Sequence, residues 1–131
     1  MKTLRIIVVT VVWVLFIGVA AEADDLYSPP LFPAVNQFVF CHVANVSGRT
    51  GTIQWEIIRD DGVVVKTGGP VNVGTGQVVG SGIFIDCTTY ECEVNYYCHF
   101  VVSGKAGQYR AAIKLSNLNN GGGDLVTLSA Y

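Results

Sequence analysis

The chain predicts an all-β fold, an antiparallel sandwich of about seven short strands, on three observations. Runs of β-branched and aromatic residues alternate apolar and polar with period two. Clusters of Gly, Asn and Asp separate these runs at short spacing. Past the N-terminal segment, no stretch keeps a helical period over three turns without a glycine in it. The 131 residues allow one domain plus a targeting segment. Half of them are apolar and only 14% are charged, against about 25% in an average soluble domain, which excludes intrinsic disorder. A net charge of −2 provides no basic face for nucleic acid.

The elements follow in chain order. Lys2 and Arg5 precede sixteen uncharged residues, 6–21, and then Ala21-Glu22-Ala23. This order of a basic, an apolar and a small-residue segment is that of a secretory signal peptide, residues 1–23. Cleavage is placed after Ala23, with Ala21 as the fallback. The apolar run is shorter than the roughly 20 residues of a spanning helix, so no membrane association is expected after signal cleavage. The expected location is secreted, periplasmic or extracellular. Residues 24–36 carry Pro29, Pro30 and Pro33 and are expected as an extended Pro-rich lead-in, not a strand. The β-sandwich domain is 37–131.

Within that domain, 37–46 is the first expected strand. In the second, 52–60, Ile53, Trp55 and Ile57 share one face, and Gln54 and Glu56 share the other. Asp61-Gly62 marks a hairpin turn, and 63–67 is a short third strand. Residues 68–76, with Pro70, are expected as a Gly-rich loop. Gly80 and Gly82 interrupt the strand at 77–86 and suggest a bulge or bend. In 94–102, Val94, Tyr96, Cys98, Phe100 and Val102 face inward, and Asn95, Tyr97 and His99 face outward. In 108–115, Tyr109, Ala111, Ile113 and Leu115 share the apolar face. An Asn- and Gly-rich loop at 117–124 leads to a last strand, 125–131.

Four cysteines allow three pairings. Cys41 and Cys98 each sit mid-strand on an apolar face and can meet across a core. Cys87 and Cys92 are near neighbours in a loop and can meet each other. Cys41–Cys98 with Cys87–Cys92 is therefore the favoured set. The rival, a zinc site built from all four, lacks the short C-x2-4-C spacing at Cys41.

Cys41, Trp55 fourteen residues on, and Tyr96 two residues before Cys98 together resemble the immunoglobulin pattern. In that fold the two cysteines bridge the sheets, the Trp packs on the bridge and the Tyr makes a corner bond. The resemblance implies an immunoglobulin-like β-sandwich and covers residues 41–98. It departs from the pattern at Glu93-Val94-Asn95, which stands where an Asp and a small residue usually precede the Tyr, and at Glu56, which follows Trp55. It therefore implies fold more than recognition. The stretches Cys41-His42-Val43-Ala44-Asn45-Val46 and Tyr109-Arg110-Ala111-Ala112 are also similar to parts of short secreted bacterial β proteins, a likeness that implies no activity.

Little here suggests catalysis. The chain has two histidines, no G-x-S-x-G and no H-E-x-x-H, so a nucleophile, base and orienting acid are not assembled in sequence. His42 and His99 each follow a bridging cysteine, but period two turns both outward. On opposite sheets they cannot share an ion. Asp60-Asp61 reads as turn chemistry, and Glu91 and Glu93 as a solvated loop. Asn45-Val46-Ser47 is a glycosylation acceptor pattern. No enzyme activity, cofactor or metal is expected. Tyr90 and Tyr97 fall outside the expected core faces and form a possible ligand surface, since Tyr with Asn, Thr and Gly makes adaptable contacts. The expected function is a secreted, non-enzymatic binding or interaction module for a protein or carbohydrate ligand. The alternative is a structural or adhesive surface subunit that assembles through sheet edges.

Overall fold

The computed structural model describes residues 22–89, 92–117 and 124–130. Eight strands run through them: β1 (Ala23–Tyr27), β2 (Gln37–Asn45), β3 (Gly51–Arg59), β4 (Val64–Val73), β5 (Val78–Ile85), β6 (Tyr96–Ser103), β7 (Tyr109–Asn117) and β8 (Asp124–Ser129). A single 3-10 turn, Ala106–Gln108, joins β6 to β7. All pairings are antiparallel, in two four-stranded sheets. Sheet A has the order β1-β6-β3-β4, and sheet B has the order β5-β2-β7-β8. The molecule is a β-sandwich, with one strand more than expected.

The core lies between the sheets, where the alternation of each strand puts it. Val39, Cys41 and Val43 of β2 and Cys98, Phe100 and Val102 of β6 have no solvent exposure. Ile53, Trp55 and Ile57 of β3 are buried in the same cluster. Cys41 and Cys98 are bonded, Cα atoms 5.7 Å apart, tying sheet B to sheet A at its middle. Cys87 and Cys92 are bonded in the loop between β5 and β6. Cys87 is exposed, whereas Cys92 packs against the core cluster.

The extra strand corrects the reading of the lead-in. Residues 23–27 precede the prolines and pair with β6 from Ala23↔Ser103 to Tyr27↔His99. Only the stretch from Ser28 onward behaves as a connection. It stays against β6 through Ser28 N–H to the Cys98 carbonyl at 2.9 Å and a bridge between Leu31 and Tyr96. The first 21 residues of the expected signal peptide lie outside the described residues, as do Tyr90, Glu91, 118–123 and Tyr131.

A second correction concerns 68–76. The third strand does not stop at Thr67 but runs to Val73 as β4. Its register against β3 shifts between Ile53 and Trp55, with one extra residue on β4. This bulge absorbs Gly69 and Pro70, and β4 is an edge strand, where a residue without a donor is tolerated. Gly69 has φ +87°, which a residue with a β-carbon rarely adopts. Conversely, the bulge expected at Gly80 and Gly82 is absent, since β5 pairs with β2 in unbroken register from Val78 to Ile85. These glycines instead make room for Phe40, whose ring covers Gly82, and for His42, opposite Gly80. Trp55 covers Gly68 of β4 in the same way on sheet A.

Candidate functional site

The two outer faces of the sandwich carry different chemistry. On sheet A, β1, β6 and β3 are neighbours; Tyr27, His99 and Glu56 stand in one row of outward positions, and Asp25, opposite Val101, reaches His99 diagonally. His99 Nδ1 lies 3.0 Å from Glu56 Oε2, and His99 Nε2 lies 2.9 Å from Asp25 Oδ1. The Tyr27 ring stacks on the imidazole, centroids 4.5 Å apart and planes 8° from parallel. A neutral imidazole has one N–H, and only the cation donates from both nitrogens. With an acceptor oxygen at each nitrogen, this geometry favours the imidazolium form. Burial pulls the His99 pKa down, but the hydrogen bonds to Glu56 and Asp25 and their charges together outweigh it and hold the pKa above its ordinary value. Both nitrogens are occupied, so neither faces a hydroxyl whose proton it could take. Tyr97 lies two residues earlier on the same outer face, half-buried and opposite Ile58. Its expected companion Tyr90 is outside the described residues.

Sheet B presents an aromatic face. Phe38 and Phe40 of β2 alternate with the core residues Val39 and Cys41 and point outward. Phe84 of β5 stands opposite Phe38. The Phe38 ring lies 5.4 Å from Phe40 and 4.9 Å from Phe84, centroid to centroid. Next to them a depression of about 290 Å³ is bounded by Phe40, His42, Val78, Gly80, Ser81 and Lys114. Val78 is 61% exposed. The register extends the face row by row, Gly82–Phe40–Lys114, then Gly80–His42–Ala112, then Val78–Ala44–Arg110. Strands β2, β5 and β7 contain no Asp or Glu, and the formally charged side chains they carry are Arg110 and Lys114.

The two histidines stand on opposite outer faces, as their strand parities require. Among the described residues no group of three His, Cys, Asp or Glu side chains is placed to hold a metal ion, and all four cysteines are in disulfides. Asp60 accepts from Asn95, and Asp61 from Arg59 and the Val63 N–H. The Arg59 hydrogen bond, then that of Val63, lowers the Asp61 pKa. Asp86 accepts from the backbone of Thr89 and Thr88, which holds its carboxyl well below the usual range and shapes the start of the Cys87–Cys92 loop.

Asn45 is fully buried. Its Nδ2 donates to the carbonyls of Arg49 at 2.8 Å and Val73 at 2.7 Å. Its Oδ1 accepts from Ser47 N–H and Ser47 Oγ. The glycosylation pattern is thus a structural turn, with no amide hydrogen left for a glycan.

No protein-family model, curated protein or solved structure matches this chain.

What sequence reasoning missed on sheet B had a local signal. The strand 37–46 is apolar at Phe38 and Phe40 as well as at Val39, Cys41 and Val43, so both of its faces seek cover. The Asp25–His99–Glu56 group had none, because its members are 74 and 43 residues apart. Two disulfides fit a non-reducing compartment. No helix among the described residues is long and apolar enough to cross a membrane.

Proposed function

We propose that this chain is an exported, non-enzymatic binding module whose contact surface is the outer face of sheet B. One observation carries the reading: three phenylalanines gather outside the sandwich instead of within it. Burial of an aromatic side chain is the main driving force its sequence could offer to the core. Clustered apolar surface outside a sandwich marks an interaction site. Aromatic anchors on a face whose strands β2, β5 and β7 carry no acid suit a protein partner that offers an apolar patch. The signal-peptide pattern and the two disulfides support export.

The sandwich is further read as a variant of the immunoglobulin-like fold. The Cys41, Trp55 and Tyr96-Tyr97-Cys98 pattern supports this, as do the β2–β5 and β3–β6 pairings, which correspond to B–E and C–F of that fold. The terminal strands differ. β1 takes the place beside β6 that the last strand holds there, and β7 takes the place beside β2 that the first one holds.

The second reading, assembly through sheet edges, draws on β5, an eight-residue edge with no charge and no proline. Against it stands Lys66, whose Nζ crosses from β4 to the Gly82 carbonyl at 2.7 Å and blunts that edge.

The test is affinity capture by the oxidised domain from the medium and envelope of its source, alongside a glycan array. The native protein should retain a partner that Phe40→Ser/Phe84→Ser loses by about thirtyfold or more in affinity, as for hot-spot residues. Tyr97→Ala should retain it, with the melting temperature of each variant confirming its fold. Capture that survives the Phe substitutions but not Tyr97→Ala would move the surface to sheet A. Concentration-dependent self-association alone would favour the second reading.

A further inference from the structure

We infer that Asp25, His99 and Glu56 form a latch on β1, closed while His99 is imidazolium and loosened as it loses its proton. The inference stands apart from the sheet B reading and concerns the opposite face.

Strand β1 has five residues and one neighbour, β6. On the outer face Asp25 and Tyr27 fix it to β6. On the inner side Leu26 enters the core, and Asp24 Oδ2 accepts the Ala106 N–H at 2.8 Å. The groups that face His99 are Asp25 and Tyr27 from β1 and Glu56 from β3. Along its own strand, Tyr97 and Val101 flank it on the same face.

A neutral His99 keeps one N–H and turns the lone pair of its other nitrogen toward a carboxylate. The partners are not equivalent. Glu56 lies on a central strand with its side chain 26% exposed, whereas Asp25 lies on the edge strand with its side chain 57% exposed. Water compensates Asp25 for a lost donor more readily than Glu56. The remaining proton therefore stays on Nδ1 toward Glu56, and the lone pair of Nε2 faces Asp25. The hydrogen bond that is lost is the side-chain link from β6 to Asp25 of β1, and the backbone ladder of the two strands then holds β1 without it. Displacement of β1 uncovers the backbone edge of 99–103 and the core beneath Leu26, an acceptor edge for another extended chain. The latch thus makes the availability of that edge depend on the acidity outside the cell.

The sign follows from linkage. A proton that His99 binds more tightly with β1 closed favours the closed state at low pH. That advantage is lost as pH rises through the closed-state pKa. The loss amounts to tenfold in the opening equilibrium for each unit by which Asp25 raises that pKa.

The experiment uses the oxidised full domain. The imidazole of His99 is titrated by NMR, and hydrogen exchange of β1 and of its partner amides in β6 is followed from pH 6 to pH 9, corrected for intrinsic exchange, with β7 as internal reference. His99 should titrate above about 6.5. Protection of β1 should fall relative to β7 by tenfold for every unit by which Asp25→Asn lowers the His99 pKa. His99→Gln and Asp25→Asn should each flatten the pH profile of β1. Should His99→Gln not fold, Asp25→Asn on the exposed edge decides alone. Protection of β1 that is independent of pH, or that falls equally in Asp25→Asn, would overturn the latch.

Discussion

Both amide hydrogens of Asn45 are bonded to the carbonyls of Arg49 and Val73, so its side chain serves the fold and nothing outside it. Asn45→Ala would remove four hydrogen bonds to Ser47, Arg49 and Val73, and would leave the Val73 carbonyl and the Ser47 N–H without these partners while Ser47 Oγ still donates to the Arg49 carbonyl. It should cost about 3 kcal/mol, since each such orphan costs roughly 1–3 kcal/mol, read as a lower urea midpoint with unchanged slope. A transferase presented with the folded domain should add no glycan mass at Asn45. Trp55 is 8% exposed, and its Nε1 has no partner among the described residues. Trp55→Ala should cost about 3–5 kcal/mol, the range for emptying an aromatic site, and the folded protein should emit at short wavelength. His99 adds a pH term. Its folded pKa is raised, so its contribution is complete below its unfolded value of about 6.5 and disappears as pH rises through the folded value. The urea midpoint should fall above neutrality in the native protein more than in His99→Gln. Trp55, Cys41 and Cys98 were legible because strand parity alone decides their face. Asn45 was not, because a three-residue pattern does not say whether its first member is buried.

At the scale of the element, strand parity was legible and strand ends were not. β2, β3 and β5 to β7 lie where alternation puts them, within a few residues. β4 was truncated because Gly68, Gly69 and Pro70 read as loop, when a bulge on an edge strand accommodates the same residues. Gly69 tests this account. Its φ is +87°, and a β-carbon there would meet the Ile53 carbonyl oxygen at 2.5 Å. Gly69→Ala should therefore cost about 2 kcal/mol, within the roughly 1–3 kcal/mol for a residue held in a sparsely populated conformation. Gly62→Ala is the control. It shares the positive φ but has open space around it, so it should cost less, and calorimetry on the pair separates contact from conformation. β1 was hidden for another reason. Its five residues contain one buried apolar side chain, Leu26, and what makes them a strand is the edge of β6, 72 or more positions further along the chain. The Asp25–His99–Glu56 group was out of reach for the same reason, since register between distant strands has no local signature.

For the whole molecule, the decisive link is the one between its layers. Backbone ladders join strands only within each sheet, and the sheets meet through packed side chains, side-chain hydrogen bonds such as Lys66 to the Gly82 carbonyl and Asn45 to the Val73 carbonyl, and one covalent bond, Cys41–Cys98. That bond spans 57 positions, and the Cys87–Cys92 bond spans five. In the chain-entropy view the long closure contributes about 4 kcal/mol and the short one about 2 kcal/mol. A domain of this size has roughly 5–15 kcal/mol of total stability, so the inter-sheet bond is a large part of it and the loop bond a smaller one. Exposure orders them the same way. Cys87 is open to solvent, whereas Cys41 and Cys98 have no exposure. A mild thiol should therefore reduce Cys87–Cys92 first, and the singly reduced protein should keep a cooperative urea transition. Replacing Cys87 and Cys92 by Ala should lower stability by about 2 kcal/mol, and replacing Cys41 and Cys98 by about 4 kcal/mol. The second variant, or the native chain held in a reducing cytoplasm, should be degraded where the exported chain persists. Reduction of Cys41–Cys98 before Cys87–Cys92, or equal losses from the two pairs, would show that the sheets hold together without their bridge. The core contacts alone would then account for the sandwich.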